Sequence, residues 1–309
     1  MNVVELRNVT KRFDEFVAVK NLSFEVRKGA IFGLLGPNGA GKTTSIRMIV
    51  NIFAPDTGEV VVLGEHVTTE LQQRIGYLPE ERGLYKKMKV AEQLIFFANL
   101  KGVPTDVAGN RVAQWLKRME LSDWTNKKAA DLSKGMQQKV QFIAAVLHEP
   151  EFLILDEPFS GLDPVSVELL KSAILDLREK GATIIFSTHQ MEQVEQLCED
   201  ICLINHGTQV LGGNLREVKR GFGRNTVRLD YEGPNSFLMG DDLVKRQNKF
   251  ANYIEFVLSD GADAQEILRR ALAAGARINR FELVEPSLNE IFIESVKGNN
   301  EKDSRNTQA

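Results

Sequence analysis

The chain has 309 residues, 26% of them charged with a formal net charge of −3, and carries two cysteines and four histidines. That length allows two domains. The nearly balanced charge, even from Asn214 onward, leaves no footprint for nucleic acid or an anionic membrane surface.

No apolar run approaches the roughly 20 residues needed to cross a bilayer, and the segment after Met1 lacks the basic-then-apolar layout of a signal peptide. The expectation is a cytoplasmic protein. Short alternating strands are predicted at Val3 to Leu6 and Leu22 to Val26, and a buried strand from Ile31 to Leu35. That strand runs into "GPNGAGKTT", residues Gly36, Pro37, Asn38, Gly39, Ala40, Gly41, Lys42, Thr43 and Thr44, with helical periodicity from Ser45 to Asn51. The spacing fits GxxxxGK[ST]. Its glycines let the backbone wrap a polyphosphate, the helix presents its positive end, Lys42 reaches the β- and γ-phosphates, and the Thr43 hydroxyl suits Mg²⁺.

Another strand follows at "EVVVLG", and the texture then turns helical from about Gly83 to His148, with a break at Gly102-Val103-Pro104. "EFLILDEP" and "ATIIFSTH" are continuous apolar strands joined by a helix at roughly Pro164 to Glu179, the pattern of a buried parallel sheet. Cys198 and Cys202, four apart on what reads as one helix leading into a strand, are expected to be small core residues of a reducing compartment. After a break near "GGNLRE" a second unit begins. It holds strands at "NTVRLDY", "ANYIEFVL" and "RINRFELV", a helix at "DAQEILRRALAAG", and a closing helix opened by Ser287 with Glu290 three residues on, a capping-box spacing.

Asp156 and Glu157 end an apolar strand at the carboxyl edge of the predicted sheet, where α/β proteins bind ligands. Asp156 suits Mg²⁺ and Glu157 suits a general base for water. His189, at the end of the neighbouring strand, is a candidate for the γ-phosphate and the water. Ser133, Lys134 and Gly135 open an amphipathic helix and offer a second anion-binding surface, with an ordinary helix N-cap as the competing reading. If one chain cannot bring both surfaces to one triphosphate, a second copy must complete the site, giving two identical sites at one two-fold interface.

GPNGAGKTT, LSKGM, FLILDEP, SGLD and STH, in this order, resemble the nucleotide-binding domain of ATP-binding-cassette proteins over about Met1 to Gly213. The fold implied is α/β: a P-loop nucleotide-binding domain over 1–213, with an antiparallel β subdomain, a parallel-sheet core and a helical insert at about 83–148. A small α+β accessory domain over 214–298, of regulatory or dimer-supporting role, and a disordered tail over 299–309 complete the expectation. The resemblance implies an ATPase using ATP and Mg²⁺, in a head-to-tail dimer with a second copy or a homologous ATPase subunit. It places Asp163, the end of SGLD, in the loop linking the two sites, and Phe13 on adenine, with Phe16 as the alternative. Two departures stand out. LSKGM replaces the usual LSGGQ while keeping Ser133 and Gly135, and Glu80 stands where the family carries a glutamine sensing Mg²⁺ and γ-phosphate; its carboxylate is expected to ligate Mg²⁺ with Thr43 and Asp156, with an extra negative charge near the γ-phosphate.

A softer resemblance, carried by these departures and the ending "VEPSLNEIFIESV", is to bacterial ATP-binding subunits of sodium-efflux and antibiotic exporters. It implies a separate integral membrane permease, which would choose the substrate and hold this subunit at the inner face of the membrane. Tyr85, Phe96 and Phe97 are candidate permease contacts, with core packing the competing reading of the two phenylalanines. Two alternatives remain: a soluble non-transport cassette ATPase, which usually shows two cassettes or a long coiled coil, and another P-loop GTPase or kinase. A GTPase should carry NKxD, and "NKKA" at Asn126 lacks the aspartate.

Overall fold

Two long strands, β1 (Asn2–Phe13) and β2 (Phe16–Arg27), pair antiparallel around a tight turn in which Asp14 takes φ 51°. Val4, Leu6 and Val9 of β1, with Val19, Leu22 and Val26 of β2, are buried and alternate with more exposed neighbours, the signature of a sheet with one covered face. After β3 (Ile31–Leu35) and helix α1 (Lys42–Ile49), strand β4 (Thr57–Val62) pairs with β1, so this antiparallel sheet runs β2-β1-β4. The computed structural model describes residues 1–66, 68–81, 83–222, 226–234, 243–259 and 261–296. The tail read as disordered lies outside them.

The short helix α2 (Thr69–Gln72) leads to β5 (Ile75–Leu78). Helices α3 (Val90–Leu100), α4 (Thr105–Arg118) and α5 (Lys134–Val146) then separate β5 from β6 (Phe152–Asp156). Helix α6 (Pro164–Glu179), capped by Asp163 with proline at its start, crosses to β7 (Thr183–Thr188). Helix α7 (Met191–Leu197), β8 (Asp200–Asn205), β9 (Thr208–Asn214) and α8 (Leu215–Gly221) follow. The six-stranded sheet runs β5-β6-β7-β3-β8-β9, parallel from β5 to β8, with β9 antiparallel at the edge. Every residue of β3, β6 and β7 is buried, as helices on both faces of a parallel sheet require. Each large aliphatic or aromatic side chain so buried contributes about 1.5–3 kcal/mol.

The predicted α/β core with its antiparallel opening is present. One local reading is corrected: Cys198 caps the end of α7 and Cys202 sits in β8, so the two do not share a helix. Both are buried free thiols, and burial pushes the Cys202 thiol up to about 12.

The chain divides into two compact units, Met1–Leu215 and Arg216–Ala309. In the second, β10 (Thr226–Glu232), β11 (Val244–Lys249), β12 (Ile254–Leu258) and β13 (Arg277–Val284) form an antiparallel sheet in the order β11-β12-β10-β13. Helix α9 (Ala264–Ala273) buries Ile267 and Ala271 against Val227, Leu229, Phe256 and Leu258. A last helix, α10 (288–296), opens on the predicted capping box: the Ser287 N–H donates to Glu290 Oε2 at 2.9 Å and the Glu290 N–H to Ser287 Oγ at 3.2 Å. Strand β11, "VKRQNK", is additional to the sequence reading. It is an edge strand with one apolar residue, so no alternation marks it.

Candidate active site

Parallel pairing brings three strand ends together. Asp156 of β6 lies opposite Ser187 of β7, and Leu35 of β3 opposite Thr188, so the segments after β3, β6 and β7 emerge side by side at the carboxyl edge of the sheet.

The loop after β3 is shaped by glycine. Gly36 has φ +151° and a Cβ there would stand 2.2 Å from the Ile204 carbonyl oxygen; Gly41 has φ +108° and its Cβ would stand 2.6 Å from that of Ala18. Any larger residue would force the backbone out of this curl. The loop closes on its own lysine: Lys42, only 6% exposed, donates from Nζ to the Gly36 oxygen at 2.7 Å and the Pro37 oxygen at 3.1 Å. Burial pulls the Lys42 ammonium below the usual lysine range, opposed by Glu157, Asp156 and Glu80.

Asp156, 1% exposed, accepts hydrogen bonds from Thr43 Oγ1 at 3.1 Å and Ser187 Oγ at 2.8 Å. Burial raises its pKa, and the two hydroxyls partly counter the shift. Glu157 takes φ 49°, a left-handed conformation that costs a non-glycine residue about 1–2 kcal/mol. Its surroundings hold it there. The N–H donates to the Ser187 oxygen at 2.9 Å, while the carboxylate accepts from Thr188 Oγ1 at 3.0 Å and the His189 N–H at 2.9 Å. It also binds His189 Nδ1 at 2.7 Å. A carboxylate only accepts, so Nδ1 carries the proton, and the Nε2 of a neutral ring is left as an acceptor.

Lys42, Thr43, Asp156 and Glu157 line one cleft of about 400 Å³ with Asn38, Gly39, Ala40, Gly41, Thr44, Phe16, Ala18 and the exposed Glu80. Phe16, not Phe13, stands on this wall; Phe13 packs edge-on against Phe53 at 5.5 Å between ring centres. The two phenylalanines are opposed partners at the hairpin end, and that contact with Phe53 engages the Phe13 ring.

Ser133, Gly135 and Asp163 do not line the cleft. Ser133 is exposed and caps α5, accepting from the Met136 N–H at 3.2 Å. Gly135 lies where a Cβ would stand 3.2 Å from the Gly161 oxygen, so LSKGM and SGLD abut within the chain. Asp163 accepts from the N–H and Oγ of Ser166 at 3.0 and 2.7 Å, bonds that hold its carboxyl below the usual range.

Sequence reasoning missed the hydroxyls of Ser187 and Thr188, which were visible as the polar end of an otherwise apolar strand. It also missed Gln138, whose buried amide donates to the Pro158 oxygen at 3.1 Å and ties α5 to the turn after Glu157. Nothing in the sequence marks that link.

A second, apolar cleft of about 280 Å³ lies beside the insert, lined by Tyr77, Leu84, Phe97, Leu100, Gln141 and His148 among others. Tyr85 and Phe96 are exposed, Phe97 is half-buried, and Tyr85 stacks on Phe97 at 5.8 Å.

Phosphate-loop curl, buried lysine and hard oxygen donors define a nucleotide-hydrolysing P-loop site. The family described as ABC transporter matches residues 19–160, and the one described as ATP-binding protein DrrA1-3-like, C-terminal domain, matches residues 213–296. An uncharacterized ABC transporter ATP-binding protein of Bacillus subtilis, YhaQ, is 45% identical over 95% of this chain and 98% of its own length. The linearmycin resistance ATP-binding protein LnrL of the same organism is 32% identical over 94% of this chain and 97% of its own. A solved dimeric ATP-binding cassette in a post-hydrolysis state, bound to ADP and Pi, has 26% identity and a TM-score of 0.63 over 69% of this chain and 99% of that one. The chain belongs to the ABC transporter ATP-binding proteins. It is an ATPase subunit that energises transport.

Proposed function

We propose that this chain drives an exporter through ATP and Mg²⁺ bound between two copies of itself, or between itself and a homologous subunit. The observation that carries the reading is the Glu157 carboxylate, held by Thr188 and His189 beside a phosphate loop whose lysine is already buried.

Both groups fit the residues present. The loop glycines leave room for backbone amides to wrap phosphates, and Lys42 exchanges the Gly36 and Pro37 carbonyls for phosphate oxygens. Phe16, on the cleft wall, is the aromatic ring nearest at hand for adenine, with Phe13 as the alternative. Thr43 and Asp156 present the oxygen donors for Mg²⁺, which supplies charge neutralisation at the β- and γ-phosphates.

Glu157 takes a proton from the attacking water; His189 fixes its carboxylate through Nδ1 and keeps Nε2 free to accept from that water or a protonated phosphate oxygen. Ser133 and Gly135, absent from their own chain's cleft, offer a hydroxyl and a helix N-terminus to the γ-phosphate of the partner copy. ATP thereby bridges two surfaces and favours the closed dimer, and loss of the γ-phosphate removes the bridge. Asp163, capping α6 at the end of SGLD, holds the loop between the sites.

A separate permease supplies the spanning part, a reading supported by the match to the ABC transporter family; among the described residues no helix is long and apolar enough to cross a membrane. The apolar cleft with Tyr85 and Phe96 at the surface offers the permease a docking face on the cytoplasmic side. The Nod factor export ATP-binding protein I of Burkholderia orbicola, 36% identical over 82% of this chain and 82% of its own length, supports export as the direction. Replacing Glu157 by glutamine tests the chemistry: steady-state ATP hydrolysis should fall by about 10²- to 10⁴-fold with nucleotide affinity retained. Unchanged hydrolysis would remove Glu157 from the mechanism.

A further inference from the structure

The nucleotide cleft sits at the carboxyl edge of the parallel sheet, and another cleft, of about 500 Å³, lies at the amino edge. Its place follows from its lining: residues 149–151 lead into β6 and residues 180–182 into β7, while helix α4 of the insert forms the facing wall. Helical spacing puts Arg111, Trp115 and Arg118 on one face of α4. The floor is apolar. Val146 and Leu177 are buried there beside the half-buried indole of Trp115, which Phe142 meets edge-on at 5.8 Å and the Arg118 guanidinium covers at 5.2 Å from the ring centre. Most of the surrounding charge is matched. Arg111 donates to the Leu147 oxygen at 2.8 Å and pairs with Glu149, Arg118 pairs with Asp176, and Arg74 holds Glu151 at 2.7 Å. Lys180 differs: it lines the cleft, is exposed and, among the described residues, makes no ion pair or side-chain hydrogen bond. Lys28 adds to the positive excess, since the bond from Arg74 and then the charge of Lys28 hold the Glu151 carboxyl below the usual range.

We propose that this amino-edge cleft is a binding site for a small amphipathic monoanion, an apolar body with one carboxylate, held between the insert and the sheet core. Its volume falls within the range of small-molecule sites, about 300–1,000 Å³, which are mostly apolar with a few placed polar groups. The body covers Trp115, Val146 and Leu177, and the carboxylate takes Lys180 as its counter-charge. A cationic ligand would meet the side chains of Arg111, Arg118 and Lys180 and find no free carboxylate, because Glu149 and Glu151 are already paired. None of these residues lines the nucleotide cleft, which is a separate site.

The test is a calorimetric titration of the full chain with phenylpropionate, phenylpropanol and phenylpropylamine, one apolar body carrying a negative charge, none, or a positive one. The acid should bind about fivefold more tightly than the alcohol, the effect of one exposed ion pair, and the amine should bind weakest. Lys180→Gln, a change at an exposed side chain, should bring the acid down to the affinity of the alcohol. The chain has two tryptophans, so in Trp124→Phe protein the emission comes from Trp115 alone and should change saturably with the affinity that calorimetry gives. Equal binding of acid and alcohol to the wild type overturns the proposal, and so does a preference for the acid that survives Lys180→Gln. Binding to which Trp115 does not respond places the ligand elsewhere and overturns it as well, as does the absence of binding by all three compounds.

Discussion

Glu157 and His189 illustrate how the strand ends cooperate: Thr188, the last residue of β7, and His189, directly after it, orient the carboxylate of Glu157, which follows β6 in a left-handed conformation. The carboxylate therefore has little freedom left, which is what a general base requires before substrate arrives. A second residue far from this chemistry makes a different statement. His148 binds the Ile75 oxygen through Nε2 at 3.2 Å, and burial, with Lys101 next, pushes its pKa down to about 4. Between roughly pH 6.5 and 4 the unfolded chain takes up a proton here and the folded chain does not, so stability falls as pH is lowered through that window. From pH 7 to 5 the loss from this group should be about 2 kcal/mol, and a His148→Gln variant should lack it. Urea denaturation of both proteins at the two pH values checks this; identical pH dependence would contradict it.

At the scale of elements, the legible parts were those whose chemistry forces a local pattern. A loop that must curl around phosphates needs glycine at Gly36 and Gly41 because a Cβ would strike Ile204 and Ala18, so the motif appears in the sequence. Continuous apolar strands announced β3, β6 and β7 for the same reason. The illegible parts depend on register or on distant partners. Whether Phe13 or Phe16 reaches the cleft turns on the irregular pairing of β1 with β2 and on Phe53, some forty residues on. The His189–Glu157 bond needs β6 and β7 to be aligned, and β11 forms only because β12 offers it an edge. Helix α10 was legible through its capping box, and it carries a prediction. Ser287→Ala should cost about 1 kcal/mol of local stability, seen as roughly fivefold faster amide exchange over 288–296. Unchanged exchange would mean that packing, and not the cap, holds that helix.

For the whole molecule the decisive fact is a separation: residues Asn38 to Thr44 of the phosphate loop line one cleft with Asp156 and Glu157, while Ser133 and Gly135 stand outside it. On the function proposed above, a second copy in head-to-tail arrangement supplies what each copy lacks. The direct measurement is light scattering after gel filtration on Glu157→Gln protein, with and without ATP and Mg²⁺. ATP should convert monomer to a stable dimer, and adding Ser133→Arg should abolish that dimer without loss of nucleotide binding. A dimer that forms equally well with Ser133→Arg would contradict the composite site, as would ATP-saturated protein that stays monomeric.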